Sequence, residues 1–193
     1  MSNIFKSIQR YLVGDNCEVS EPNVVEQKLT MQDDFASAAK PYCNQPELRH
    51  NSNCYTYALG IPEHGKATPG KLIHNKTRLG ESMSCSEMKL QTIYNALLRD
   101  GLKPIARPEY APYEDAPVIA AFLAQEYDYH FYRLHKDGTW SHQGGRGGPI
   151  SQRDENGGII EDLFYADRGV YKDFIGYFTI PETGLRYVIP SGS

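Results

Sequence analysis

Hydrophobic positions recur at helical spacing in the first half of the chain and cluster or alternate at strand spacing in its last third. The clearest helix is predicted over residues 84–99. Met88, Leu90, Ile93, Tyr94, Leu97 and Leu98 form its apolar stripe, Glu87 sits in its first turn, and Gly101 follows its end. A shorter apolar helix opens at Cys54 and reaches Leu59, where Gly60 and Pro62 close it. Ile4, Phe5, Ile8, Tyr11 and Leu12 share one side of a short amphipathic helix that is expected to dock onto the domain. Residues 14–45 mix charge, proline and polar side chains and read as a lead-in with little regular structure. Residues 64–80, rich in Gly, Lys and Pro, read as an exposed loop.

From Pro117 the pattern is that of strands. Residues 118–123 are an unbroken apolar run, as in a buried strand; 130–135 and 139–142 predict a hairpin around Lys136-Asp137-Gly138; 174–180 and 185–189 are late strands. Pro104, Pro108 and Pro112 mark an extended connection, Gly144, Gly145, Gly147 and Gly148 a glycine-rich flap, and residues 154–158 a turn. Helices early and antiparallel strands late predict an α+β fold, with a lead-in over residues 1–45 and one domain over 46–193.

Composition narrows the function. The chain has 193 residues, 40% hydrophobic and 23% charged, with a formal net charge of -4, which suits one domain with a real core. Mild acidity without a dense Lys/Arg tract speaks against nucleic acid as a partner. No apolar run approaches the roughly 20 residues of a membrane-spanning helix, so no integral membrane association is expected. The N-terminus lacks the apolar stretch and small-residue cleavage site of a secretory signal. That predicts a cytoplasmic protein, or one delivered by a signal-independent route such as a secretion system or phage. Cys17, Cys43, Cys54 and Cys85 form no C-x-x-C pair, so neither a metal nor another cofactor is predicted. Cys17, Cys43 and Cys85 read as small buried or partly buried thiols.

Cys54 stands apart because it opens a helix, and two histidines, His130 and His142, lie in the predicted hairpin. A thiol is a nucleophile as the thiolate, which a helix N-terminus or a nearby imidazolium favours. A strand alternates sides, so the face that His142 joins depends on the turn. A two-residue Asp137-Gly138 turn pairs His142 with Arg133 and points the histidines apart. A three-residue turn with Gly138 in the left-handed region pairs His142 with Tyr132 and makes them diagonal neighbours, roughly 7 Å apart at the backbone. His135 falls on the other face, where it is expected to be exposed, and His50 reads as surface. On these residues a cysteine hydrolase is the leading expectation.

The order of a Cys opening a helix, a His opening a core strand and a second His twelve residues on resembles the NlpC-type cysteine peptidases and amidases. The resemblance covers about residues 48–145 and implies a papain-like fold, with N-terminal helices packed on a C-terminal antiparallel sheet. It implies Cys54 as nucleophile, His130 as general base and His142 as the residue that orients His130. The Cys54 thiolate would form a thioester acyl-enzyme, with the oxyanion held by the Cys54 N–H and by Asn51 or Asn53. Asp154, Asn156 or Asp162 could orient His130 in place of His142. The expected substrate is a peptide or bacterial cell-wall peptidoglycan. Such a chain would serve as an antibacterial or host-directed effector toxin, met by an inhibitor or immunity protein, or as an intracellular peptidase. The alternatives are acyl transfer by the same Cys-His pair, zinc held by Cys54, His130 and His142, and a non-catalytic binding module on the same fold.

Overall fold

The computed structural model describes residues 23–73, 83–112, 114–145 and 147–189. The amphipathic helix near the N-terminus, Cys17 and the second half of the predicted loop over 64–80 lie outside the described residues.

Strand β3 (Val118–Ala124) is buried at every position because a core covers each of its faces. Ile119, Ala121 and Leu123 meet Tyr55, Leu59, Ile93 and Leu97 on one side. Val118, Ala120 and Phe122 meet Tyr132, Trp140, Ile160 and Leu163 on the other. A strand buried on both faces has no polar alternation, hence the unbroken apolar run. β3 pairs with β4 (Asp128–Leu134) and with β7 (Asp173–Thr179). With β2 (Lys103–Ile105), β5 (Trp140–Gln143) and β6 (Ile150–Ser151) they form a six-stranded antiparallel sheet in the order β2-β7-β3-β4-β5-β6. Pro104 is tolerated in β2 because that strand is an edge. Helices α3 (Cys54–Leu59) and α4 (Leu90–Arg99) cover the first face. The fold is α+β.

Several segments differ from the pattern. Within the lead-in, β1 (Asn23–Gln27) pairs with β8 (Leu185–Ile189) in a separate two-stranded sheet. Two helices follow, α1 (Phe35–Asn44) and α2 (Pro46–Asn51). The Asp34 carboxylate caps α1, accepting from Ser37 N–H at 2.7 Å. α1 buries three residues, Ala38, Ala39 and Tyr42, two of them alanines, too little apolar surface to give a strong periodic signal. The described part of the 64–80 segment is not an exposed loop. His64, Ala67 and Leu72 are buried, and the Leu72 carbonyl accepts from Val188 N–H at 3.0 Å.

The helix predicted over 84–99 is two elements. A 3-10 turn, Cys85–Glu87, is closed by a reciprocal Ser84–Glu87 capping box, and α4 begins after Lys89, whose backbone is extended. The interruption has a tertiary cause: the Met88 carbonyl accepts from Glu126 N–H at 3.2 Å, a bond that continuous helix would forbid. Cys43 and Cys85, expected to be at least partly buried, are exposed.

Candidate functional site

The hairpin decides whether the two histidines meet. His135 N–H donates to Thr139 O at 2.9 Å, Gly138 N–H donates to His135 O at 3.0 Å, and Gly138 has φ +84°. This is the three-residue turn. The register follows, with Tyr132 opposite His142 and Leu134 opposite Trp140. His130 and His142 therefore share a face, and His130 Nε2 lies 2.7 Å from His142 Nδ1.

The proton between them is fixed by a third group. His142 Nε2 lies 3.1 Å from the Arg153 carbonyl, which accepts only, so His142 donates there. A neutral His142 must then accept at Nδ1, and His130 donates from Nε2. Aromatic rings enclose the pair. Tyr171 stacks on His130 with centroids 4.8 Å apart, Tyr132 lies 5.0 Å from each imidazole, and the Tyr171 hydroxyl donates to Asp128 Oδ2 at 3.0 Å. Burial opposes a charged imidazolium, and the neighbouring His142 adds to this, so His130 is pushed down to about 3. His142 is also lowered, by burial. Both rings are neutral at pH 7.

Cys54 is placed by a well-capped helix. The Asn53 carboxamide oxygen accepts from Thr56 N–H at 3.1 Å, and Asn53 N–H donates to Thr56 Oγ1 at 3.2 Å, a reciprocal capping box. Gly60, with φ +76°, ends the helix in the left-handed conformation that a side chain resists. Cys54 is 7% exposed and packs in the core with Tyr129 and Phe131. Its Sγ lies 4.0 Å from the Tyr129 carbonyl, a contact in which the S–H is donor. Among the described residues, no hydrogen bond joins Sγ to a ring nitrogen of His130. Burial, then the Asp128 charge, push the thiol up to about 12, outweighing the backbone N–H groups of Phe131 and of the helix start at Cys54 and Tyr55. At pH 7 the pair is thiol and imidazole, the reverse of the thiolate–imidazolium couple expected of a nucleophile.

The other predicted positions divide. Both ends of the Asn53 amide are committed, since Nδ2 donates to the Ala67 carbonyl at 2.7 Å. It is a cap, not a free oxyanion donor. Asn51 is exposed as the last residue of α2. Asp154 accepts from the backbone N–H groups of Asn156, Gly158 and Asp167, and Asp162 accepts from Phe164 N–H, so His142 holds the position beside His130. His50 is exposed, as expected. His135 is not: it is 1% exposed, and its Nε2 meets Ser141 Oγ at 2.7 Å. Its face of β4 is covered by α3 rather than open.

Sequence reasoning missed Tyr171, Asp128 and Gln143. Beside Tyr171, Lys172 reaches Asp167 at 3.8 Å, but nothing local in the sequence signals that Tyr171 folds back onto His130. Gln143 is fully buried; it accepts from Ser52 Oγ at 2.9 Å and donates to the Arg49 carbonyl at 2.9 Å, tying β5 to the α2–α3 junction. Strand alternation puts Gln143 opposite to His142, the one legible hint. The glycine-rich run closes a turn against α2, where a Cβ on Gly147 would fall 3.0 Å from the His50 carbonyl. Among the described residues, no group of three or more His, Cys, Asp or Glu side chains is placed to hold a metal. Nor is any described helix long and apolar enough to cross a membrane.

Insoluble matrix shell protein 1 of Ruditapes philippinarum is 34% identical to this chain over 137 residues, covering 71% of this chain and 84% of that protein. The chain belongs to its family. No protein-family model matches the chain, and no solved structure matches it significantly. Membership in the family of an insoluble matrix shell protein corrects the expectation of an enzyme, a cysteine peptidase or amidase. The buried neutral thiol gives a physical reason in the same direction.

Proposed function

We propose that the chain is a non-catalytic structural module, a component of an insoluble matrix, on a papain-like arrangement of helix and sheet. The observation that carries the reading is the state of Cys54: a buried thiol raised to about 12 beside neutral histidines. Kinship with an insoluble matrix shell protein supports the matrix role. A cysteine at the opening of α3 and histidines on β4 and β5 support the papain-like arrangement. On this reading Cys54, His130 and His142 close the core, and the partners are matrix components or further copies of the chain rather than a peptide to be cut. Phe164, Tyr165 and Val170, all exposed in the segment between β6 and β7, provide apolar surface for such contacts.

The test is assembly. The purified protein, brought to neutral pH and low salt at increasing concentration, is expected to pass into a pellet that dissolves only in denaturant. Cys54→Ala is expected to pellet to the same extent, and the Phe164→Glu, Tyr165→Glu double variant several-fold less. A protein that stays in the supernatant as a monomer at every concentration sinks the proposal.

A further inference from the structure

Arg133 is a buried cation without a counter-ion. It is 6% exposed, and among the described residues no carboxylate pairs with it. Its Nη1 donates to the Tyr57 carbonyl at 3.4 Å, its guanidinium lies 5.7 Å from the centre of the Tyr57 ring, and its Nε has no hydrogen-bond partner. A long bond to a carbonyl and one aromatic face offset only part of the cost of burying a charge, which is several kcal/mol.

The same residue lines a cavity of about 220 Å³ between the β1–α1 segment and the end of α3. That is smaller than the roughly 300 Å³ at which pockets for drug-sized ligands begin. Tyr42 also lines it, and its buried hydroxyl is likewise without a partner. Two unsatisfied buried donors, one of them charged, thus border one small space. Glu63, the acidic group near Tyr42, is occupied elsewhere, accepting from the Tyr187 hydroxyl. Gly60 keeps room for the guanidinium, since a Cβ there would come within 3.3 Å of Arg133 Nη2. Gln27, Thr30 and Pro41 are exposed at the rim, so the cavity is open to solvent-borne ions.

We propose that this cavity is a binding site for a small oxyanion, a phosphate, sulfate or carboxylate group, held by Arg133 and Tyr42. The anion supplies the missing charge to the guanidinium and accepts from Arg133 Nε and the Tyr42 hydroxyl together. Bound anion neutralises a buried charge, so it also stabilises the fold by mass action. The site is separate from Cys54, His130 and His142 and does not depend on the matrix role.

The side-chain N–H resonance of Arg133 Nε reports on the site directly. It is followed in nitrogen-edited NMR spectra during titration with sodium phosphate, sodium sulfate or sodium acetate, with sodium chloride at matched ionic strength as control. Loss of the resonance in Arg133→Met assigns it. A saturable shift with an oxyanion, absent with chloride, is expected. Phosphate and sulfate acting alone identify a tetrahedral ligand, and acetate acting alone a carboxylate. Ala38→Leu, which fills the cavity and keeps Arg133, is expected to raise the half-saturating concentration at least tenfold. No saturable shift, an equal response to chloride, or an unchanged titration in Ala38→Leu would overturn the proposal.

Discussion

Acid is expected to remove most of the stability of the fold between about pH 6.5 and pH 4.5. Four histidines, His64, His130, His135 and His142, are lowered chiefly by burial, His130 to about 3 and His135 to about 4. Each binds a proton less readily in the folded chain than when unfolded, where it titrates near pH 6.5. In that window the unfolded state binds more protons, so stability that is full above pH 6.5 is lost as the pH falls. The slope is about 1.4 kcal/mol per pH unit for each such group, and by pH 4.5 His130 and His135 alone remove about 5 kcal/mol. That equals the whole stability of a small domain at the lower end of the usual range, about 5 kcal/mol. Asp100 acts in the opposite sense, since burial raises its carboxyl, and offsets part of this loss. Urea unfolding at pH 7, 6 and 5 measures the slope. His130→Gln, which cannot titrate, is expected to flatten it by about one proton. A stability unchanged between pH 7 and pH 5 would contradict neutral burial of these rings.

The largest effect of a single substitution is expected at Asp100. Its buried carboxylate accepts from the Tyr55 hydroxyl at 2.7 Å, from Gly70 N–H at 2.5 Å and from Leu72 N–H at 3.1 Å. It thereby pins the end of α4 to α3 and to the chain around residues 70–72. Asp100→Ala strands three donors, each costing about 1–3 kcal/mol when buried without an acceptor. The expected loss is about 4 kcal/mol. Asp100→Asn rescues little, because its amide presents a donor where the site needs acceptors. Equilibrium unfolding of the two variants tests this; a loss under about 1 kcal/mol for Asp100→Ala would show that the donors find other partners.

Local chemistry carried much of this structure. The apolar run of β3 is legible because a strand covered on both faces has no polar alternation, and Gly138 is legible because a three-residue turn needs a left-handed residue at its end. Spacing alone allows two turns, and it is the three-residue turn seen in the structure that brings His130 and His142 together. What local chemistry does not carry is who covers a surface. His135 and Arg133 look solvent-facing on a strand, yet α3 lies over that face and buries them. Met88 looks helical, yet its carbonyl is taken by Glu126 from a distant turn. Tyr171 reaches His130 across 41 positions, a distance no periodicity encodes.

The protonation of Cys54 failed for the same reason. A helix start and two histidines argue for a thiolate, but the sign of the shift is set by desolvation and by Asp128, neither of which is a property of the motif. A cysteine, a helix and a histidine in the right order therefore do not distinguish a nucleophile from a buried thiol.

The most direct measurement is alkylation of the folded protein by iodoacetamide across pH 6 to 9, with each cysteine followed by peptide mass spectrometry. Burial of the thiol predicts that exposed Cys43 and Cys85 are modified while Cys54 stays unmodified until the chain is unfolded by denaturant. Rapid modification of Cys54 at pH 6, ahead of both exposed cysteines and abolished by His130→Ala, would contradict it.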